Sequence, residues 1–199
     1  MLLKRRANIA MNTYVSSGFM FLSVALCLGC QNTYAQEQST VGLYDKKPIP
    51  TNERIDRLVV YKSKHIMEAW SGKRLLKVYQ ISIGKGNPGP KRHQGDNKTP
   101  EGEYRINNRF VSKKFHRFLQ ISYPENKDRK AFLKSKANGL IPKDAKIGGS
   151  IGIHGEKKGY ERLPHKWADW TQGCIAVNND EIEELFIAVK PNAKVIILP

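Results

Sequence analysis

Between Arg57 and Gly84 the chain reads RLVVYKS, HIMEAW and RLLKVYQISIG, three apolar-rich runs separated only by Lys64 and by Ser71-Gly72-Lys73. Runs this short, rich in β-branched and aromatic side chains and divided by turn residues, predict an antiparallel meander rather than helices. EYRINNRF, FLQISY, the short apolar IGIHG and the closing KVIILP continue the pattern. Two stretches read as helices. DRKAFLKSKANG begins near Asp128 and stops at Gly139, whereas NNDEIEELFIAVKPN places Asn178 and Glu181 at capping-box spacing. In the latter, Ile182, Leu185, Phe186 and Val189 share one face and Pro191 ends the run. The expected class is mainly β with short helices, either all-β or a β-rich α+β domain.

The N-terminus reads as an export signal. Lys4, Arg5 and Arg6 precede GFMFLSVALCLG, Gly18 to Gly29, a stretch too short for a confident membrane span. Cleavage after Thr33-Tyr34-Ala35 gives a leader over residues 1–35; the competing site is an imperfect lipobox in which Cys30 is acylated. An N-terminal anchor helix is the third reading, and all three place the body outside the cytoplasm, in the periplasm or cell envelope. Residues 36–54, polar and containing Pro48 and Pro50, read as a linker, and residues 55–199 as one domain.

Lys4, Arg5 and Arg6 are the charged residues of the leader, so the remainder holds 31 of the 34 basic side chains against all 18 acidic ones, a net of about +13. Nucleic acid is disfavoured as a partner, because the basic residues are dispersed from Arg54 to Lys194 without a dense basic helix or interleaved aromatics. Proximity to anionic lipid or cell-wall polymer suits the charge better.

Cysteine usage narrows the chemistry. Cys27 and Cys30 belong to the leader, which leaves Cys174, in DWTQGCIAV, as the single thiol of the body. An exported domain with one cysteine either buries it as a small apolar residue or uses it. Activation calls for an imidazole, a helix N-terminus or both. The helix capped by Asn178 begins shortly after Cys174, so its positive end helps if its amides turn toward the sulfur. Of His65, His93, His116, His154 and His165, His154 ranks first as base because it ends a buried strand and precedes Gly155; His165, in LPHKW, ranks second. Gln172-Gly173-Cys174 permits a tight turn whose amides can face a developing oxyanion. The Gly/Pro-rich loop from Gly84 to Gly102 is long enough to be functional or mobile. Metal ligation has little support: no Cys-x-x-Cys or His-x-x-x-His spacing occurs, His93 with Asp96 makes at most a fortuitous pair, and no cofactor is expected.

IHG at Ile153 to Gly155, followed by TQGCIAV at Thr171 to Val177, resembles the signature of the L,D-transpeptidase (YkuD-type) catalytic domain. Gly95, Asp96, Lys98, Thr99, Pro100, Glu101 and Gly102 match that family's upstream Gly-Asp-x-x-Thr-Pro-x-Gly element. The resemblance implies a β-rich sandwich or barrel and an enzyme acting on peptidoglycan stem peptides, with a wall-linked lipoprotein as a further partner. By position it implies Cys174 as nucleophile, His154 as proton donor and acceptor, the Gly155 carbonyl as the group orienting the imidazole, and the amides of Gly173 and Cys174 as an oxyanion hole. Trp170, Thr171 and Gln172 fall where substrate contacts are expected. Gln172 and Ala176 depart from the family pattern, which commonly has His or Lys at the first and Arg or Asn at the second. Transfer to an amine acceptor is the first expectation. Hydrolysis, as an L,D-carboxypeptidase or an amidase releasing a wall-linked protein, and a catalytically silent wall-binding module are the alternatives. A papain-like peptidase is disfavoured, since His154 precedes Cys174 in the chain.

Overall fold

The computed structural model describes residues 47–159 and 168–199. The expected leader, with Cys27 and Cys30, most of the expected linker, and His165 lie outside the described residues. The sheet contains eight strands: β1 (Ile55–Tyr61), β2 (Ile66–Ser71), β3 (Arg74–Gln80), β4 (Gly102–Ser112), β5 (His116–Ile121), β6 (Gly152–His154), β7 (Ile175–Ala176) and β8 (Val189–Leu198). Their order is β3-β2-β1-β8-β4-β5-β6-β7. Among the described residues there are two helices, α1 (Asn126–Ala137) and α2 (Asn179–Ala188). The mainly β expectation holds, and β1, β2 and β3 form the antiparallel meander read from the sequence.

The long-range organisation comes from β8 and β4. β8 runs parallel to β1, from Arg57 opposite Lys194 to Tyr61 opposite Leu198, so the last strand lies at the centre of the sheet. β4 pairs with β8 through Gly102–Arg105 and with β5 from Ile106 onward, with a register shift between Ile106 and Asn108. That shift bends the strand and lets it serve both halves. Ile55, Leu58, Val60, Met67, Tyr79, Ile81, Leu119, Ile121, Ile153, Ile175, Ile182, Leu185 and Val195 build one buried core beneath the sheet and α2.

Three boundaries differ from the sequence reading. The Asn178–Glu181 capping box is present at the start of α2, but the helix ends at Ala188 rather than at Pro191. Val189, expected on the helix face, opens β8 opposite Ile55, and Pro191 lies in the 190–193 stretch that has no partner on β1, where a missing N–H costs nothing. Ile49, placed in the linker, is buried and its amide bonds to Glu184, while Lys47 O accepts Lys77 Nζ at 3.1 Å. The packed body therefore starts before Ile55. β7 was not anticipated; its two residues are held by Ile153 and His154 on one side and by Ser82 on the other.

Candidate active site

Cys174 sits on a turn whose geometry is set by its neighbours. Asp169 Oδ1 accepts the Ile83 amide at 2.9 Å, and both carboxylate oxygens lie 3.1 Å from His65 Nε2. Thr171 then bridges to Gly84, donating its amide to Ile83 O and accepting that of Lys85. The Thr171 hydroxyl accepts from Gly173 N at 3.1 Å and donates to Cys174 O at 2.6 Å, closing the turn on itself. Gly173 has φ +128°, and a Cβ there would stand 2.6 Å from Lys98 O. Only glycine satisfies both conditions.

The wall against which this turn packs is the Gly95–Gly102 element. Thr99 Oγ1 accepts Gly84 N at 2.9 Å, and Asn97 O accepts Gly86 N at the same distance. The Asp96 carboxylate gathers the amides of Arg92, His93 and Lys98 and the Lys91 ammonium. Burial alone pushes this carboxyl up, but Lys91 and the three amides outweigh it and hold it below the usual carboxylate range. Buried Lys62 ties the rest of the loop down, donating to Gly89 O, Thr99 O and Glu101 Oε1.

His154 ends β6, paired with Phe118 on β5 and Ala176 on β7. It is 1% exposed, and its ring stacks on Phe115 at 4.2 Å between centroids, on Phe118 at 5.7 Å, and meets Trp170 edge-on at 5.5 Å. His154 Nδ1 lies 2.7 Å from Gly155 O. A carbonyl oxygen only accepts, so Nδ1 carries the hydrogen and Nε2 keeps its lone pair. Cys174 and His154 line one cleft of about 950 Å³, which also takes in Ser150, Gln120, Phe110 and Gln172.

Electrostatically the two groups rest neutral. Burial pushes the Cys174 thiol up to about 11, although the Gly152 amide and the Lys91 charge draw it down. Burial likewise pushes His154 down to about 4 against the opposing pull of the Gly155 carbonyl. The site at neutral pH is thus a thiol, donating weakly to Ser150 O at 3.6 Å, beside a neutral imidazole. Burial therefore works against the activated thiol expected from the sequence, and the Gly152 amide and Lys91 work for it. The α2 N-terminus meets the site on the imidazole side, where Asn179 Oδ1 accepts the Glu156 amide and packs against Gly155.

The sequence model of the YkuD family, the L,D-transpeptidase catalytic domain, matches residues 55–197. The chain belongs to this family. Pgp2 from Campylobacter jejuni, a helical cell shape determining protein, superposes with a TM-score of 0.52 at 23% identity, covering 78% of this chain and 52% of Pgp2. Its K307A mutant gives 0.52 at 24%, over 73% and 47%. The L,D-transpeptidase of Xylanimonas cellulosilytica gives 0.48 at 15% identity, over 76% and 64%. The chain therefore spans about half the length of Pgp2, and the likeness to Pgp2 shows the fold alone. Comparison with curated protein sequences gives no match.

Within this YkuD domain the residues expected at the site separate into two groups. Cys174, His154, Trp170 and Gln172 all border the cleft, as does Thr171. Thr171, expected as a substrate contact, spends its hydroxyl on the turn, and the Gly173 amide, expected to face an oxyanion, is already engaged by that hydroxyl. Ala176 is buried in β7, paired with His154 and bridged to Ser82, so its small side chain belongs to the interior. The other described histidines are engaged elsewhere: His65 with Asp169, His93 Nδ1 with Gln94 O, His116 with Glu183. Phe115, Phe118, Ser150, Gly152 and Lys91 were not foreseen. Gly152 was legible only as part of a glycine-rich approach to the strand; a Cβ there would lie 2.3 Å from the Phe118 ring.

Proposed function

We propose that this YkuD domain is a cysteine acyltransferase acting on peptidoglycan stem peptides in the cell envelope. The observation that carries the reading is His154 Nδ1 at 2.7 Å from Gly155 O, which leaves Nε2 to act as the base, in one cleft with the body's single cysteine. Nε2 takes the thiol proton as Sγ attacks the carbonyl at the L-centre of diaminopimelate. The tetrahedral oxyanion is received by the Cys174 amide, because the Gly173 amide holds the turn. As the C–N bond breaks, the imidazolium returns the proton to the departing D-alanine amine, leaving a thioester on Cys174. An amine then takes the acyl group; with water in its place the same intermediate gives L,D-carboxypeptidase chemistry, and with a protein-linked peptide as donor, release of a wall-linked lipoprotein.

A neutral resting dyad suits substrate-triggered proton transfer, since pairing both charges inside the cleft offsets the burial that disfavours each alone. The same neutrality favours a second reading, a silent wall-binding module that uses the basic surface on anionic polymer. Incubating the protein with a disaccharide tetrapeptide and a D-amino acid, followed by mass spectrometry, separates them. Exchange supports transfer, trimming to tripeptide supports hydrolysis, and an unchanged substrate supports the silent module. Cys174→Ala is expected to retain the fold and abolish either conversion; a variant that still converts tetrapeptide overturns the mechanism.

A further inference from the structure

Among the described residues, the charge lining the cleft is one-sided. Lys91, Lys114 and Lys157 border it, and among the described residues no Asp or Glu does. Lys91 is held in place: its side chain is 3% exposed, with Nζ donating to Asp96 Oδ1 at 2.7 Å and to His93 O at 3.0 Å. Asp96 does not cancel this cation fully. Its carboxylate is shared with the amides of Arg92 at 2.6 Å, Lys98 at 3.0 Å and His93 at 3.1 Å, so much of its negative charge is already offset by backbone dipoles. The mounting is rigid with respect to the sulfur, because the loop that carries Asp96 and Lys98 is the wall on which Gly173 closes without room for a methyl group.

Other charges have different positions. His154 approaches from β6, Lys157 from the segment after it, and Lys114 from the β4–β5 turn, where its Nζ sits 5.5 Å above the Phe115 ring. Asp169, on the strand-like approach to Cys174, is directed to His65 and the Ile83 amide. Lys91 is thus the buried cation held on the same cleft as Cys174, and its charge draws the thiol down.

We propose that Lys91, held by Asp96, is the fixed cation that stabilises the Cys174 thiolate, so that the Gly95–Gly102 element contributes to the reactivity of the thiol as well as to loop architecture. The role deepens the acyltransferase reading and rests on it for biological meaning. Its test needs no peptide substrate, so a negative result there leaves that reading standing, and failure of tetrapeptide conversion leaves this one standing.

The measurement is the rate of alkylation of Cys174 at pH 8 in the full chain, read on the Cys174 peptide by mass spectrometry, with neutral iodoacetamide and anionic iodoacetate in parallel. Because rate follows thiolate fraction, Lys91→Met is expected to slow iodoacetamide by about three- to tenfold, the effect of a half-unit to one-unit rise in thiol pKa. Lys91→Arg should stay within about twofold of the parent, since it keeps the charge. Asp96→Asn should move the rate the other way and accelerate it, because it removes the counter-charge while keeping one acceptor oxygen. Opposite signs for the two neutralising substitutions are the mark of electrostatics. If both slow alkylation together and lower the melting temperature, the pair is architectural and the proposal fails. It fails equally if Lys91→Met slows only iodoacetate, which makes Lys91 a carboxylate dock, or changes neither rate. Should Lys91→Met not fold, a rate in Asp96→Asn no faster than the parent overturns the proposal by itself.

Discussion

Replacing Thr171 by valine isolates the lock on the nucleophile turn. The side chain is 4% exposed, and its backbone contacts to Ile83 and Lys85 do not depend on the hydroxyl, so shape and strand pairing survive the substitution. What is lost are the acceptor for Gly173 N–H at 3.1 Å and the donor to Cys174 O at 2.6 Å. Each buried group left unsatisfied costs about 1–3 kcal/mol, so the pair sums to about 2–4 kcal/mol once partial relaxation is allowed. For a domain of this size that lowers the melting temperature by about 5–15 °C. The released turn also lets the Cys174 amide drift from the carbonyl it is proposed to serve, and kcat for tetrapeptide conversion is expected to fall about 10- to 100-fold, equivalent to about 1.4–2.7 kcal/mol. Thermal unfolding by circular dichroism and turnover by mass spectrometry measure the two effects. Thr171→Ser should restore most of both. A valine variant that melts within about 2 °C of the parent and keeps its kcat within about twofold would refute the assignment of the hydroxyl as the lock.

His154 makes stability depend on pH. Its folded pKa, about 4, lies below the unfolded value of 6.5, so between these values the unfolded chain binds a proton that the folded one does not. Stability is therefore retained above pH 6.5 and lost as pH falls toward 4, by roughly 3 kcal/mol in total; denaturant titrations of His154→Gln should lack that slope. Gly152→Ala is expected to destabilise by about 1–3 kcal/mol through overpacking against Phe118, and loss of turnover beyond the stability effect would register displacement of the ring that stacks on His154. Lys62→Met removes an ammonium bonded to Gly89 O, Thr99 O and Glu101, and urea unfolding should show a loss of about 3 kcal/mol. An unchanged midpoint would mean that the Gly84–Gly102 loop is held by Asp96 and Thr99 alone.

Local chemistry made much of this protein legible before any coordinates. Alternating apolar runs and turn residues sufficed for the β1–β3 meander, and the Asn178–Glu181 box for the start of α2, because those preferences act over a few residues. Counting cysteines singled out Cys174, and the His-Gly dipeptide at a strand end singled out His154, since reactivity leaves a mark in residue type. Local rules failed where long-range pairing wins. Pro191 and Val189 look like the end of a helix, yet the unpaired edge of β1 draws Val189 into a parallel strand. Thr171 and Gly173 look like a substrate contact and an oxyanion donor until the hydroxyl of one is seen to occupy the amide of the other.

Residue types and their order along the chain singled out Cys174 and His154 as the candidate groups and pointed to a mainly β frame. Only the tertiary structure decided their electrical state and their company. Whether a thiol ionises depends on the water removed around it and on charges brought from distant parts of the chain; here burial raises the thiol and lowers the imidazole, while Lys91, far from Cys174 in sequence, is brought to the same cleft by a loop pinned through Asp96 and Lys62. Solvation and through-space charge are properties of packing in three dimensions, so no reading along one dimension could have supplied them.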